Sequence, residues 1–75
     1  MGILDYLVSI SEEFASQARL RVADQRRVLE LLDRQGDKEA VHRAQVVLAR
    51  LERAYGVALD RLNADRAVSS RSQPR

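Results

Sequence analysis

Apolar positions recur along the first half of the chain at alternating steps of four and three residues. The stretch from Ile3 to Gln35 holds no glycine or proline, and it contains one continuous series of such positions. Its members are Leu4, Val8, Ser11, Ala15, Ala18, Val22, Gln25, Leu29 and Leu32. This spacing is a heptad repeat, which is typical of α-helices that pack lengthwise against another helix. The pattern predicts a first helix over about residues 3–35.

A second series with the same spacing follows a single turn signal. Gly36 suits the left-handed position that ends a helix, and Asp37 suits the N-cap of the next one, so a turn is predicted over 34–37. The second series consists of Val41, Ala44, Leu48, Leu51, Tyr55, Ala58 and Leu62. It predicts a second helix over about residues 38–67. No period continues beyond it, and residues 68–75 are predicted to form a disordered basic tail.

The start of the first helix has two interpretations. Ser9 and Glu12 fit a capping box, which would begin the main helix there and leave Ile3 to Val8 as a separate turn. Nothing before Ser9 breaks a helix, however. We therefore predict one continuous helix from about Ile3.

Two helices of similar length joined by a short turn predict an all-α fold, an antiparallel two-helix hairpin occupying residues 1–67. Folding the chain about Gln35 and Gly36 brings large residues opposite small ones, as an interdigitated core requires. The resulting neighbours are Leu62 with Val8, Leu48 with Val22, and Tyr55 with Ala15 and Ala18. A chain of 75 residues buries only a modest core by itself. We therefore expect a homodimer of hairpins that forms a four-helix bundle.

Two positions of the first series are polar. Ser11 and Gln25 could select the register or the number of partners, as buried polar residues do in coiled coils. Alternatively, each lies at the edge of the series and reaches water. Both interpretations stay open at this point for Gln25, and the second is favoured for Ser11.

The composition excludes most catalytic and metal chemistry. There is no cysteine, and His42 is the only histidine, so neither a thiolate site nor a histidine metal cage is predicted. No glycine-rich phosphate loop or nucleophile motif occurs. We expect no catalytic residue, no cofactor and no metal. No apolar run approaches the length of a membrane span, and the expected location is the cytoplasm.

The net charge of +2 comes from the end of the chain. Residues 1–65 hold 10 basic and 11 acidic side chains, whereas the last ten residues contribute Arg66, Arg71 and Arg75 without an acid. A nucleic-acid-binding hairpin that uses these three arginines is therefore the alternative function. Arginine and acidic residues alternate elsewhere, and no aromatic residues are placed to stack on bases. Only weak, non-specific binding is expected.

The first fourteen residues hold more apolar side chains than one series can bury. The surplus lies at the open end of the hairpin, and it predicts a partner-binding surface of Ile3, Tyr6, Leu7, Ile10, Phe14, Val57 and Leu59. This surface favours a small non-catalytic module that regulates or inhibits a protein target, of the kind that phages or plasmids encode. In architecture alone it resembles the dimeric hairpins of plasmid copy-number regulators. A further alternative is a self-assembling structural subunit, as in the needles of secretion systems.

Overall fold

The computed structural model describes residues 2–72, which form two long helices. Helix α1 spans Ile3–Gln35 and helix α2 spans Lys38–Ser72. They pack against each other along their length in a rod of 58 × 15 × 15 Å. No strand occurs within residues 2–72. The predicted all-α helical hairpin is confirmed.

The turn between the helices forms as its residue types predict. Gly36 adopts φ 76° and ψ 14°, the left-handed conformation that glycine tolerates without steric cost. Its N–H donates to the carbonyl oxygen of Asp33 at 3.1 Å. The carboxylate of Asp37 accepts from the N–H of Ala40 at 3.0 Å, which satisfies one of the free donors at the start of α2.

Helix α1 is continuous from Ile3, so the alternative start at Ser9 is not adopted. The N–H of Gly2 donates to the carboxylate of Asp5 at 3.4 Å. An acid in the first turn also interacts favourably with the positive end of the helix dipole. These features let the helix begin six residues before the predicted capping box.

The C-terminal end of α2 corrects the sequence prediction. The helix ends at Ser72 rather than near residue 67, so a disordered tail beginning at residue 68 is wrong for residues 68–72. Residues 73–75, which include Arg75, lie outside the described residues. Helix α2 continues beyond residue 67 because the heptad series continues through two polar residues, Asp65 and Ser69. Ser69 is buried, and its hydroxyl lies 3.4 Å from the carboxylate of Asp5.

The two heptad series form the contact between the helices, here called the seam. Every residue of both predicted series is buried or half-buried, and so are Asp65 and Ser69, which extend the series on α2. The fully buried apolar residues are Ala15, Val22, Ala44 and Leu62. The seam is confirmed, and its core consists mostly of small side chains.

The axial register differs from a simple fold about the turn. Such a fold would place Ser11 opposite Asp60, whereas the hydroxyl of Ser11 is bonded to Asp65. The displacement corresponds to about one turn of α2. In the observed register Tyr55 falls opposite the interval between Ala18 and Val22, rather than opposite Ala15.

Candidate functional site

The two sides of the seam differ sharply in polarity. Large exposed apolar side chains directly precede seam residues in the sequence, which places them together on one side of the hairpin. We call this side the apolar flank; its apolar residues are the exposed Ile3, Leu7, Phe14, Val28, Leu31, Val47, Val57 and Val68 and the half-buried Ile10. Exposed charged residues lie between them on the same side: Arg21, Asp24, Arg43, Arg50 and Arg61. Of the other large apolar side chains with strong exposure, only Tyr6, Leu20 and Val46 lie elsewhere among the described residues. The apolar flank therefore runs along most of the rod.

The half of this flank nearest the chain ends contains a groove of about 460 Å³ between the helices. Leu7, Ile10 and Phe14 line it from α1, and Val57 lines it from α2. Alanine side chains from both helices form further parts of its wall. Small residues there leave room for side chains of another molecule.

Two arginines border the same groove. Arg21 and Arg61 both line it and are exposed, and neither forms an ion pair within residues 2–72. Arginine stacks well on aromatic faces and is only weakly hydrated. The groove therefore combines an apolar lining with guanidinium groups that are able to contact a partner.

The opposite side, here called the charged flank, carries two ion pairs between the helices. Arg26 contacts Glu52 at 3.2 Å, and Arg66 contacts Glu12 at 3.9 Å. Each of these four residues directly follows a seam residue. Exposed ion pairs add little stability, but they leave this side of the hairpin hydrated. Most of the large exposed apolar side chains thus lie on one side of the seam, and the ion pairs between the helices lie on the other.

Polar side chains of the seam bond across the two helices. Ser11 is buried and donates to the carboxylate of Asp65, while Gln25 donates to the carbonyl oxygen of Ala44 at 3.1 Å. Ser11 therefore does not reach water as the favoured interpretation expected. Gln25 is half-buried and bonds to the backbone of α2. Both bonds help to fix the register, because each requires one axial alignment of the helices.

We expect Ser11→Ala to lower the free energy of unfolding by about 1–3 kcal/mol, because the half-buried carboxylate of Asp65 loses its donor. Chemical denaturation followed by circular dichroism measures this change. The control is Ser16→Ala on the exposed face of the same helix, which should have little effect. Equal stabilities of the two variants would show that the Ser11–Asp65 bond does not stabilise the hairpin.

The structure brings together most, but not all, of the residues predicted to bind a partner. Leu7, Ile10, Phe14 and Val57 share the groove, and Ile3 continues the same flank at 75% exposure. The other two lie apart. Tyr6 is exposed on α1 outside the flank, beside Ile3 and Ser9, and Leu59 is half-buried next to the seam, outside the groove.

Sequence reasoning missed the part of the apolar flank near the turn. Val28, Leu31 and Val47 are exposed there, and Val68 extends the flank on α2 beyond the predicted helix end. The signal that identifies them is a second heptad series, displaced by one residue from the first. One residue turns about 100° around the helix axis, so the second series faces a different direction from the seam.

The residues considered for nucleic-acid binding do not converge. Arg66 is paired with Glu12, and Arg71 is exposed in the last turn of α2. His42 is also exposed, beside Lys38, Glu39 and Arg43. Within residues 2–72 no group of acidic or histidine side chains is arranged to hold a metal ion. Neither of the two helices is long and apolar enough to cross a membrane.

In comparisons with known proteins, no family model matches the chain, and no curated protein or solved structure is significantly similar to it.

Proposed function

We propose that the chain is a non-catalytic protein–protein interaction module that regulates or inhibits a protein target by packing its apolar flank against helices. The observation that supports this proposal is the concentration of exposed apolar side chains on one side of the rod. Contiguous apolar patches of this kind mark interaction surfaces in soluble proteins.

The energetics favour an occupied flank. Burying a large apolar side chain contributes about 1.5–3 kcal/mol, and a domain of this size has a total stability of only about 5–15 kcal/mol. Phe14 and Val57 are 62% and 68% exposed in the single chain. Covering several such residues would therefore add a large fraction of the stability that the hairpin has alone.

We propose a homodimer, a four-helix bundle, as the resting state of the module. A helix in such a bundle packs against two neighbours on adjacent sides. Both helices have the apolar strips that this arrangement needs, one in the seam and one on the apolar flank. The absence of cysteine from the sequence also suits a reducing compartment, and we propose that the module acts in the cytoplasm.

Affinity capture from an extract of the source organism, with matched variants, tests the proposed target binding. We expect the wild type and Glu39→Arg, a change at the hydrated turn end, to retain the same protein. Ile10→Asp should lose it, because a carboxylate in the groove would lose its hydration when the target packs against the flank. Circular dichroism should show equal helix content for all three. A captured protein that Ile10→Asp retains equally well would contradict a role for the apolar flank.

A further inference from the structure

We infer that the target helix bound by the apolar flank is an amphipathic helix of another protein that carries acidic residues along both edges of its apolar face. This inference rests on the proposed function and specifies the chemistry of the target. It follows from the charges that lie among the apolar residues of the flank and from the ion pairs that these charges lack.

The net positive charge of the molecule is concentrated on the apolar flank. The five charged residues of the flank are four arginines and one aspartate, Arg21, Asp24, Arg43, Arg50 and Arg61, which give a net charge of +3. The whole chain has a net charge of +2, so the residues outside the flank together have a net charge of −1. A surface with this excess of arginine attracts a partner of the opposite charge.

The arginines of the flank are available to bind carboxylates. None of the four forms an ion pair within residues 2–72, and the carboxylate of Asp24 lies 3.8 Å from Arg27, which is outside the flank. On the charged flank, by contrast, two arginines each contact a carboxylate of the other helix. A guanidinium group binds a carboxylate through two parallel hydrogen bonds. Acidic side chains of the target therefore supply the partners that the apolar flank lacks.

Two of these arginines stand on opposite walls of the groove, Arg21 on α1 and Arg61 on α2. Because the helices are antiparallel, Arg21 and Ala54, the groove residues nearest the turn on each helix, lie at a similar level. Arg61 is about two helical turns from Ala54, or roughly 10 Å along the axis. A helix lying in the groove packs its apolar face against Phe14 and Val57 and presents one edge of that face to each arginine.

Other occupants fit this surface less well. A second copy brings the same net charge of +3, so the flanks of two copies repel in either orientation. An acidic helix replaces this repulsion with attraction and therefore displaces the second copy from the resting dimer. The phosphates of a nucleic acid would pair with the arginines but leave Phe14 and Val57 in water, at 62% and 68% exposure. A lipid surface does not fill a concave groove between two helices.

Two matched peptides test the charge of the target helix. Both are about four heptads long with leucine at positions a and d. One has glutamate and the other has lysine at every e and g position, which keeps each peptide from associating with itself. We expect the glutamate peptide to bind the wild-type chain at least about tenfold more tightly at low salt, and the difference to shrink as salt is added. Fluorescence anisotropy of the labelled peptides measures both affinities.

Charge reversal identifies the arginines that are responsible. Arg21→Glu combined with Arg61→Glu should abolish the preference for the glutamate peptide. The matched control combines Arg34→Glu with Arg53→Glu, the same change in net charge at exposed positions outside both flanks, and it should keep the wild-type preference. All four arginines are exposed, so circular dichroism should show equal helix content for both double variants.

The outcomes separate this inference from the proposed function. Equal affinities of the two peptides for the wild type, absence of binding by both, or loss of the preference in the control variant would overturn the inference. Tighter binding of a DNA duplex, or of vesicles that contain an anionic lipid, than of the glutamate peptide would overturn it as well. Target capture is decided independently of these results, because the Ile10→Asp variant tests it separately.

Discussion

Replacing Leu62 with alanine is expected to lower the free energy of unfolding by about 2–5 kcal/mol, the usual cost of a large cavity in a core. Leu62 is 6% exposed, and it is larger than the other three fully buried apolar residues, Ala15, Val22 and Ala44. Few side chains are available to fill the space that it leaves. Denaturant titration at a fixed protein concentration measures the loss.

The matched control is Asn63→Ala, because Asn63 is the exposed neighbour of Leu62 on the same turn of α2. It should change the free energy of unfolding only slightly. The concentration must be the same for all variants, since dimerisation makes the apparent stability depend on it. If both variants lose the same small amount of stability, burial of Leu62 in the seam does not stabilise the hairpin.

Val57→Asp is expected to raise the dissociation constant of the dimer at least about a hundredfold. In the proposed dimer the change replaces an apolar side chain of the buried flank in each copy with a carboxylate, which must then lose its hydration. The hairpin itself should fold, because Val57 is 68% exposed in the single chain. Light scattering or sedimentation over a range of concentrations measures the shift from two chains to one.

The control for this variant is Val46→Asp, the same chemical change on the same helix. Val46 is 41% exposed and lies outside both the seam and the apolar flank. It should keep the mass of the wild type. A monomer produced equally by both variants would show that added charge, rather than the apolar flank, controls association.

The heptad spacing was enough to predict the seam, because a repeat of 3.5 residues allows one face of each helix to meet the other. The turn was predictable as well, since Gly36 and Asp37 have specific conformational preferences. The end of α2 was not predictable from the sequence, because Asp65 and Ser69 continue the series with polar side chains. Their burial depends on partners far away in the sequence, Ser11 and Asp5, which no local pattern reveals.

The candidate site was predicted in part for a related reason. The apolar surplus at the open end was visible because Ile3, Leu7, Ile10 and Phe14 lie close together in the sequence. Near the turn, Val28, Leu31 and Val47 are separated by charged residues, and each resembles an isolated exposed side chain. Their relation appears only when both helices are placed side by side in the observed register.

The ion pairs between Arg26 and Glu52 and between Arg66 and Glu12 have a consequence for the size of any assembly. A contact that uses the same surface on both copies closes on itself, because it leaves no second adhesive side for a third copy. A rod that is apolar on both sides would instead add subunits without limit, as an open filament does. Because two ion pairs between the helices keep the other side hydrated, we expect association through the apolar flank to stop at a closed particle.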